Sequence, residues 1–413
     1  MTRDMKKIYL DYAATTPLDK EVEKAMRPYY FKMFGNPMSL HSFGREASKA
    51  VEKSRSQVAD FLSAEPEEII FTSGATESNN WALKGMTKSY REKHGKPHII
   101  TTKFEHHCIL DSCSALEKNN KAEITFLPIS KQGIVNIDDI QKAIKKNTLL
   151  VSIMYVNNEI GTIQPIAEIG KMLSKINKTR RDKIYFHTDA TQAINYLDCD
   201  VNKLNIDLLS MSGHKIHGPK GVGCLYIRKG TPVARKQDGG GQEFGKRAGT
   251  HNVPGIVGLG KAIELVTSNQ SSVNSKITKM RDWLIKKVLK EIPDSWLNGD
   301  LKLRTPNNAN FGFRNVEGEA LILMLDSYGI AASTGSACSS GSLEPSHVLL
   351  SLGLKPEEAH GSLRITLGKG TTREDIQHTF KTLKKVVSDL RKISGNVLDD
   401  YYKNNSSQKS IKS

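Results

Sequence analysis

Leu209-Ser-Met-Ser-Gly-His-Lys215-Ile-His-Gly-Pro-Lys-Gly-Val-Gly223 decides how the rest of the chain is read. The apolar residues Ile206, Leu208, Leu209 and Met211 give way to small and polar residues, then a lysine, then a glycine-rich turn. A second apolar run, Val222 to Ile227, follows. The spacing predicts strand, loop, strand, with Lys215 held at the tip between two rigid elements. A lysine so placed can become a nucleophilic amine, because partial desolvation favours its neutral form. The plainer reading is a solvated loop lysine, in a chain with 60 Lys and Arg residues. What the neighbouring strand-end loops contain decides between the two.

Outward from that stretch, apolar runs alternate with helical patterns from Glu68 to Ile227. Ile69-Ile-Phe-Thr72 leads to a helix through Trp81, and His98-Ile-Ile-Thr-Thr102 to one through Cys108 to Ser112. Leu149 to Val156 leads to Ile166 through Ile176; Ile184 to His187 and Leu208 to Met211 follow. Continuous apolar strands between helices predict an α/β fold with a mainly parallel central sheet covered on both faces. Working residues then lie just beyond the strands' carboxyl ends. From about Gly255 the pattern changes to a long amphipathic helix and shorter strands (Asn310 to Phe313, Ile330 to Ser333, Ser362 to Leu367), with a helix at Glu319 to Asp326. A capping-box-like start at Thr372 and Asp375 opens a last helix. The expected division is a large domain over 16–255 and a smaller α+β domain over 1–15 and 256–395. The polar segment 396–413 is expected to be frayed.

Each strand end carries a candidate. Thr72-Ser-Gly-Ala-Thr-Glu77 is a tight turn into a helix, where the N–H groups of Ala75 and Thr76 suit a phosphate or simply open the helix. Glu105-His106-His107 offers an imidazole to stack on an aromatic ligand or move a proton; adjacent histidines lack metal-ligand spacing, and a surface pair is the alternative. Asn157-Asn158-Glu159-Ile-Gly161 reads as a polar ligand site or a simple turn. His187-Thr-Asp189-Ala-Thr-Gln192 places an acid after an apolar strand, where it wants a cationic partner or caps a helix. A phosphate cup, a pyridine-facing acid, a stacking histidine and an imine-forming lysine are together the requirements of pyridoxal 5'-phosphate. Neither Gly218–Gly223 nor Gly239–Gly241 forms a nucleotide-binding glycine motif to rival them.

The bulk numbers agree with an enzyme. At 413 residues, 38% hydrophobic and 25% charged, the chain can bury two cores. It holds no apolar run long enough for a membrane helix and no secretory signal core, so a cytoplasmic location is expected. Five cysteines at 108, 113, 199, 224 and 338 form no CxxC pair, which argues against a disulfide framework or a structural metal site. The net charge of +16 raises nucleic-acid binding, but lysines such as Lys171, Lys175 and Lys178 are spread along helix faces without interleaved aromatics. Acidic protein partners or anionic substrates account for the charge equally well.

The chain resembles the cysteine desulfurases of the NifS/IscS kind, in the class V aminotransferase group of fold-type I pyridoxal-phosphate enzymes. The resemblance is carried by YLDYAATTP (9–17), FGNP (34–37), FTSGATESNN (71–80), EHH (105–107), VNNEIG (156–161), HTDATQ (187–192), SGHKIHGPKGVG (212–223), STGSACSSGSLEPS (333–346) and SLRITLG (362–368). It implies that Lys215 is the Schiff-base lysine, that Asp189 pairs with the pyridine nitrogen and that Gln192 bonds the ring hydroxyl. Ala75, Thr76, Ser212 and His214 hold the phosphate, and His106 stacks on the ring and shares proton transfer. Asn158 and Arg364 grip the substrate carboxylate. Thr250 reaches the neighbouring subunit's phosphate, which implies a homodimer; Ala248 stands where the family often has serine.

Cys338, in a loop of glycine and serine, is the expected thiol nucleophile, whereas Cys108, Cys113, Cys199 and Cys224 are expected to be buried and inert. The implied reaction moves sulfur from L-cysteine to Cys338 as a persulfide, releases L-alanine, and passes the sulfur to an iron–sulfur scaffold or a tRNA-thiolation protein. A selenocysteine lyase or another pyridoxal β-lyase shares the Lys215 apparatus. A basic RNA-binding protein would explain the charge but not the strand ends.

Overall fold

The computed structural model describes residues 6–334 and 345–409, with side chains to residue 393. In chain order the strands are β1 (Ile8–Tyr9), β2 (Ile69–Thr72), β3 (His98–Thr102), β4 (Glu123–Leu127), β5 (Thr148–Ser152), β6 (Tyr185–Asp189), β7 (Leu208–Ser212), β8 (Gly223–Ile227), β9 (Ser295–Leu297), β10 (Asn308–Phe313), β11 (Ile330–Ala331) and β12 (Ser362–Thr366). The chain forms two compact units. One comprises 13–158 and 162–272; the other comprises 1–12, 159–161 and 273–413. The division falls inside a single helix, Val253–Glu291, and not at the expected 255/256. The apolar residues along that helix lapse at the polar run Thr267-Ser-Asn-Gln-Ser-Ser272, and the division falls at its end.

The larger unit is built on a seven-stranded sheet in the order β2-β8-β7-β6-β5-β3-β4. β3, β4, β5, β6 and β7 are parallel, and β8 runs antiparallel to both β2 and β7. The reversal has a local cause: only ten residues separate β7 from β8, too few for a parallel crossover. Central strands β3, β5 and β7 are buried at every position, while edge strand β4 is half-buried at four of five. A continuous core of Ile100, Val151, Phe186, Leu209, Met211 and their neighbours packs one face, and Trp81, Leu83, Met86, Ile99 and Leu225 form a second cluster.

Two of the elements of this unit that went unread in the sequence show why such elements escape notice. The helix Ser42–Leu62 buries Ala47, Ala50, Val51, Ser54, Val58 and Leu62 at helical spacing, but small and polar members weaken the stripe. β4 is the other, and its half-exposure blurs the apolar run.

Glycine is required at one close approach. A Cβ on Gly223 would run into the Met211 carbonyl oxygen and lie 2.8 Å from Gly74 Cα, backbone that cannot swing aside. Gly223→Ala is therefore expected to destabilise the chain by about 1–3 kcal/mol and to push the Gly74 turn away from β8. A melting midpoint within a degree of the parent's would contradict this packing.

The smaller unit has an antiparallel sheet, β12-β10-β9, and a parallel pair, β1 with β11. Its own core includes Leu284, Phe311, Phe313, Leu363, Ile365 and Leu383. The expected capping box is present: Asp375 N–H donates to Thr372 Oγ1, and Thr372 N–H donates to Asp375 Oδ2. The helix it opens, Arg373–Lys409, continues through most of the segment expected to be frayed. Leu398, Lys403, Gln408 and Lys409 are helix-favouring residue types in that segment, and an established helix propagates through them.

Candidate active site

The carboxyl ends of β2, β3, β5, β6 and β7 lie along one edge of the larger unit's sheet, and five of the expected strand-end motifs follow them. After β2, Gly74 adopts φ +149°, and the helix Ala75–His94 begins directly after it. Ala75 and Thr76 precede the first internal bond of that turn, from Ser78 N–H to Gly74 O. Their N–H groups thus stand at the positive end of a 20-residue helix. A Cβ on Gly74 would come within 3.5 Å of Ser212 Oγ, so the turn after β2 closes on the end of β7. Glu77 accepts from Ser73 N–H at 2.8 Å and pairs with Arg247 at 3.1 Å. Burial alone would raise Glu77, but the bonds from Arg247 and Ser73 prevail and hold it below the usual carboxylate range.

Lys215 closes the short 3-10 turn Gly213–Lys215 that follows β7. Its Nζ donates to Ala13 O at 2.5 Å and Ala14 O at 2.8 Å. Gln192 Nε2 donates to the same Ala13 oxygen at 2.9 Å. Thr16 donates twice to His214 O, from N–H and from Oγ1, both at 2.9 Å, and His214 Nδ1 lies 3.1 Å from Thr15 Oγ1. Residues 13–16 therefore form a strap that positions Lys215, Gln192 and His214 together. Burial, reinforced by the charge of Lys215, pulls His214 down to about 4, so the ring is neutral near pH 7.

Asp189 ends β6 and is 7% exposed. Its Oδ2 accepts from Asn79 Nδ2 at 2.6 Å and its Oδ1 from Thr191 N–H at 2.9 Å. Both donors are neutral, and neither is a side-chain cation. Asn79 is fully buried and also reaches Cys108 Sγ at 3.1 Å. His106 N-caps the helix His107–Lys118, its Nδ1 accepting from Cys108 N–H at 3.2 Å. Glu105, buried beside them, accepts from Thr102 Oγ1 and Met154 N–H, joining the ends of β3 and β5. Burial, with the Asp189 charge adding to it, pushes Glu105 up to about 8.

Asn157 Nδ2 is satisfied by Phe104 O at 2.9 Å, so the first of the two strand-end amides holds a loop; Asn158 follows it, half-buried. Thr250 is exposed, two residues beyond the buried Ala248. Arg364 belongs to the smaller unit, where it is 2% exposed, donates to Asp11 Oδ1 at 2.7 Å and pairs through its backbone with Ser333. Cys338 lies outside the described residues. Cys113, Cys199 and Cys224 are buried as expected, and burial pushes their thiols well above the usual range. Cys108 departs from the expectation: it is half-buried and contacts both His106 and Asn79.

The sequence reading assigned no role to Ala13–Thr16, Asn79 or Cys108. Asn79 sits in a stretch rich in polar residues, and Ala13 acts only through its carbonyl, which no residue type reveals.

A mostly parallel sheet with a lysine, an acid and a helix N-terminus gathered at one edge defines an α/β ligand-binding enzyme class. The chain belongs to the aminotransferase class-V family, which matches it over residues 8–379. It is 52% identical over 389 residues to a cysteine desulfurase IscS of Dictyoglomus turgidum, covering 94% of this chain and 96% of that one. Among solved structures it resembles a NifS-like protein (TM-score 0.86, 36% identity, 93% of this chain and 100% of that). It also resembles SspA in complex with cysteine (TM-score 0.77, 38% identity, 88% and 99%). No helix among the described residues is long and apolar enough to cross a membrane.

Proposed function

We propose that this chain is a pyridoxal-phosphate-dependent cysteine desulfurase that moves the sulfur of L-cysteine to Cys338 and releases L-alanine. The observation that carries the reading is that Lys215 and Asp189, an amine and a buried carboxyl group, stand at the carboxyl ends of the adjacent strands β7 and β6. The donor set fits the cofactor. Asp189 accepts from two neutral donors, Asn79 and Thr191, and is the acid that suits a protonated pyridine nitrogen. Ala75, Thr76, Ser212 and neutral His214 suit the phosphate. Gln192 serves the ring hydroxyl and His106 the ring face, while Asn158 and Arg364 serve the substrate carboxylate.

When bound, pyridoxal phosphate supplies an electron sink for bond breaking at the substrate's α-carbon. Lys215, released from the carbonyls of Ala13 and Ala14, takes the α-proton and returns one. Asp189 would hold the ring end of the group and the helix at Ala75 its phosphate end, which keeps the reacting atoms aligned. The Cys338 thiolate attacks the substrate sulfur; a sulfur–sulfur bond forms as the carbon–sulfur bond breaks. The electron pair left on carbon takes a proton, and alanine leaves.

A homodimer is supported by Tyr30, Phe31, Phe34, Leu40 and Phe43, large apolar side chains exposed together in one stretch of the larger unit, with Phe31 at 77% and Leu40 at 90%. Thr250, exposed in the same unit, is then the residue offered to the second copy's phosphate. The sulfur acceptor is an iron–sulfur scaffold or a tRNA-thiolation protein, and the +16 charge suits an acidic surface on it. The setting is the cytoplasm.

Cys338→Ser tests the reaction. The variant is expected to bind pyridoxal phosphate with the parent's visible absorbance, yet to form no persulfide and to release less than about 1% of the parent's alanine. Undiminished sulfide release in the presence of a thiol reductant would remove Cys338 from the mechanism.

A further inference from the structure

Cys108 stands second in the helix His107–Lys118, between the histidine that caps that helix and the asparagine that holds Asp189. Its sulfur is 3.0 Å from His106 Nδ1 and 3.1 Å from Asn79 Nδ2. Its backbone N–H donates to the same Nδ1 at 3.2 Å. That N–H favours a bare Nδ1 and a proton on Nε2, but at 3.2 Å it is the longer of the two contacts and does not fix the tautomer alone. The thiol is protonated too, because burial, with the Asp189 charge adding to it, pushes Cys108 up to about 12. Asn79 Nδ2 has two hydrogens: one goes to Asp189 Oδ2, and the other is left for the sulfur. Every bond in the chain then has one direction, from Asn79 to sulfur and from sulfur to Nδ1.

We propose that Cys108 is a positioning residue for His106: its S–H donates to Nδ1, holds the imidazole as the Nε2–H tautomer, and links that ring through Asn79 to the Asp189 carboxylate. The inference rests on the reading of His106 as the ring-facing proton-transfer group. A fixed Nε2–H matters for that task, since a ring that flips or changes tautomer presents the wrong nitrogen for part of its time. Cys199, by contrast, directs its Sγ to a backbone oxygen, Leu197 O at 3.7 Å.

Two substitutions and two spectroscopic readouts test it. Cys108→Ala deletes the donor and leaves only the longer backbone N–H on Nδ1. Cys108→Ser keeps both a donor for Nδ1 and an acceptor for Asn79. In the full chain labelled with ¹⁵N-histidine and given no cofactor, the parent and the serine variant are expected to show His106 as the Nε2–H tautomer. The alanine variant is expected to show a mixture. Loaded with pyridoxal phosphate, the alanine variant is expected to lose about fivefold to tenfold in kcat for cysteine, the worth of one neutral hydrogen bond, with KM within twofold of the parent's. Serine should recover most of that loss.

An alanine variant with the parent's tautomer and kcat overturns the proposal, as does a loss that serine leaves unrepaired. The unsubstituted chain gives an independent check, because a donating Cys108 S–H absorbs in the infrared below the frequency of a free thiol. A free-thiol band for Cys108 overturns the proposal even if the variants fail to fold. Should the parent chain turn over no cysteine, the desulfurase reading falls instead, and the tautomer and infrared measurements still decide the role of Cys108.

Discussion

Lys215→Ala is expected to lower kcat for L-cysteine by about 10³-fold or more, the contribution of a positioned proton-transfer group together with loss of the covalent anchor. In the parent chain, borohydride should fix pyridoxal phosphate to the peptide containing Lys215; in the variant, the cofactor should wash off and no peptide should carry it. Lys215→Arg should lose as much, because arginine retains the charge and can still reach the carbonyls of Ala13 and Ala14 but does not give up a proton near neutral pH. That second variant separates chemistry from folding. Turnover above about a tenth of the parent's in both would mean that another amine does the work. The alanine variant also loses two hydrogen bonds to the strap, which costs about 1–3 kcal/mol and leaves a chain of this size folded.

Glu243→Ala is expected to destabilise the larger unit by about 3–5 kcal/mol, the effect of stranding one member of a buried ion pair. Glu243 accepts from both Arg55 Nη atoms at 2.9 Å, from Phe71 N–H at 2.8 Å and faces His251 Nε2 at 2.8 Å. Arg55 and Glu243 side chains are each 2% exposed, and the guanidinium also stacks on Phe71 and Phe244. Glu243 and Phe244 take φ of +49° and +56°, so this cluster holds two consecutive left-handed residues in the segment leading to Arg247 and Thr250.

Burial alone would raise the Glu243 carboxyl, but bonds from His251 and Arg55 bring it from 4.5 to about 2. A carboxylate depressed in the folded state contributes fully above pH 4.5, and its contribution drains away as pH falls from there through 2. Urea midpoints measured between pH 7 and pH 3 should therefore fall more steeply in the parent than in Glu243→Ala. Equal slopes, or a midpoint unchanged at pH 7, would show that the cluster does not hold the unit together.

The sequence was most informative where structure and chemistry coincide. Strand-end readings placed Asp189, His106, Ala75 and Lys215 along one sheet edge because buried parallel strands are uninterrupted apolar runs, and the residues after them stand out by contrast. The antiparallel turn of β8 was open to the same reasoning, since ten residues cannot cross a sheet. The Ala13 carbonyl was not. Any residue there would supply the same oxygen, and its partner Lys215 is 202 residues away. Asn79 and Glu243 were hidden for a related reason: each matters through what it meets in space, and a lone amide or acid in a polar stretch reads as surface. The boundary inside Val253–Glu291 leaves the helix unbroken, because a helix propagates by local bonds whatever body its side chains pack against; the polar run 267–272 is its mark in the sequence.

The strap at residues 13–16 has a consequence for how the chain is made. Its carbonyls leave the ribosome first, yet their partner Lys215 is synthesised 202 residues later. At about 5–20 residues per second, that leaves the segment waiting tens of seconds without its amine. The strap is thus made long before it is locked, and its lock waits on the synthesis of every sheet strand between it and Lys215.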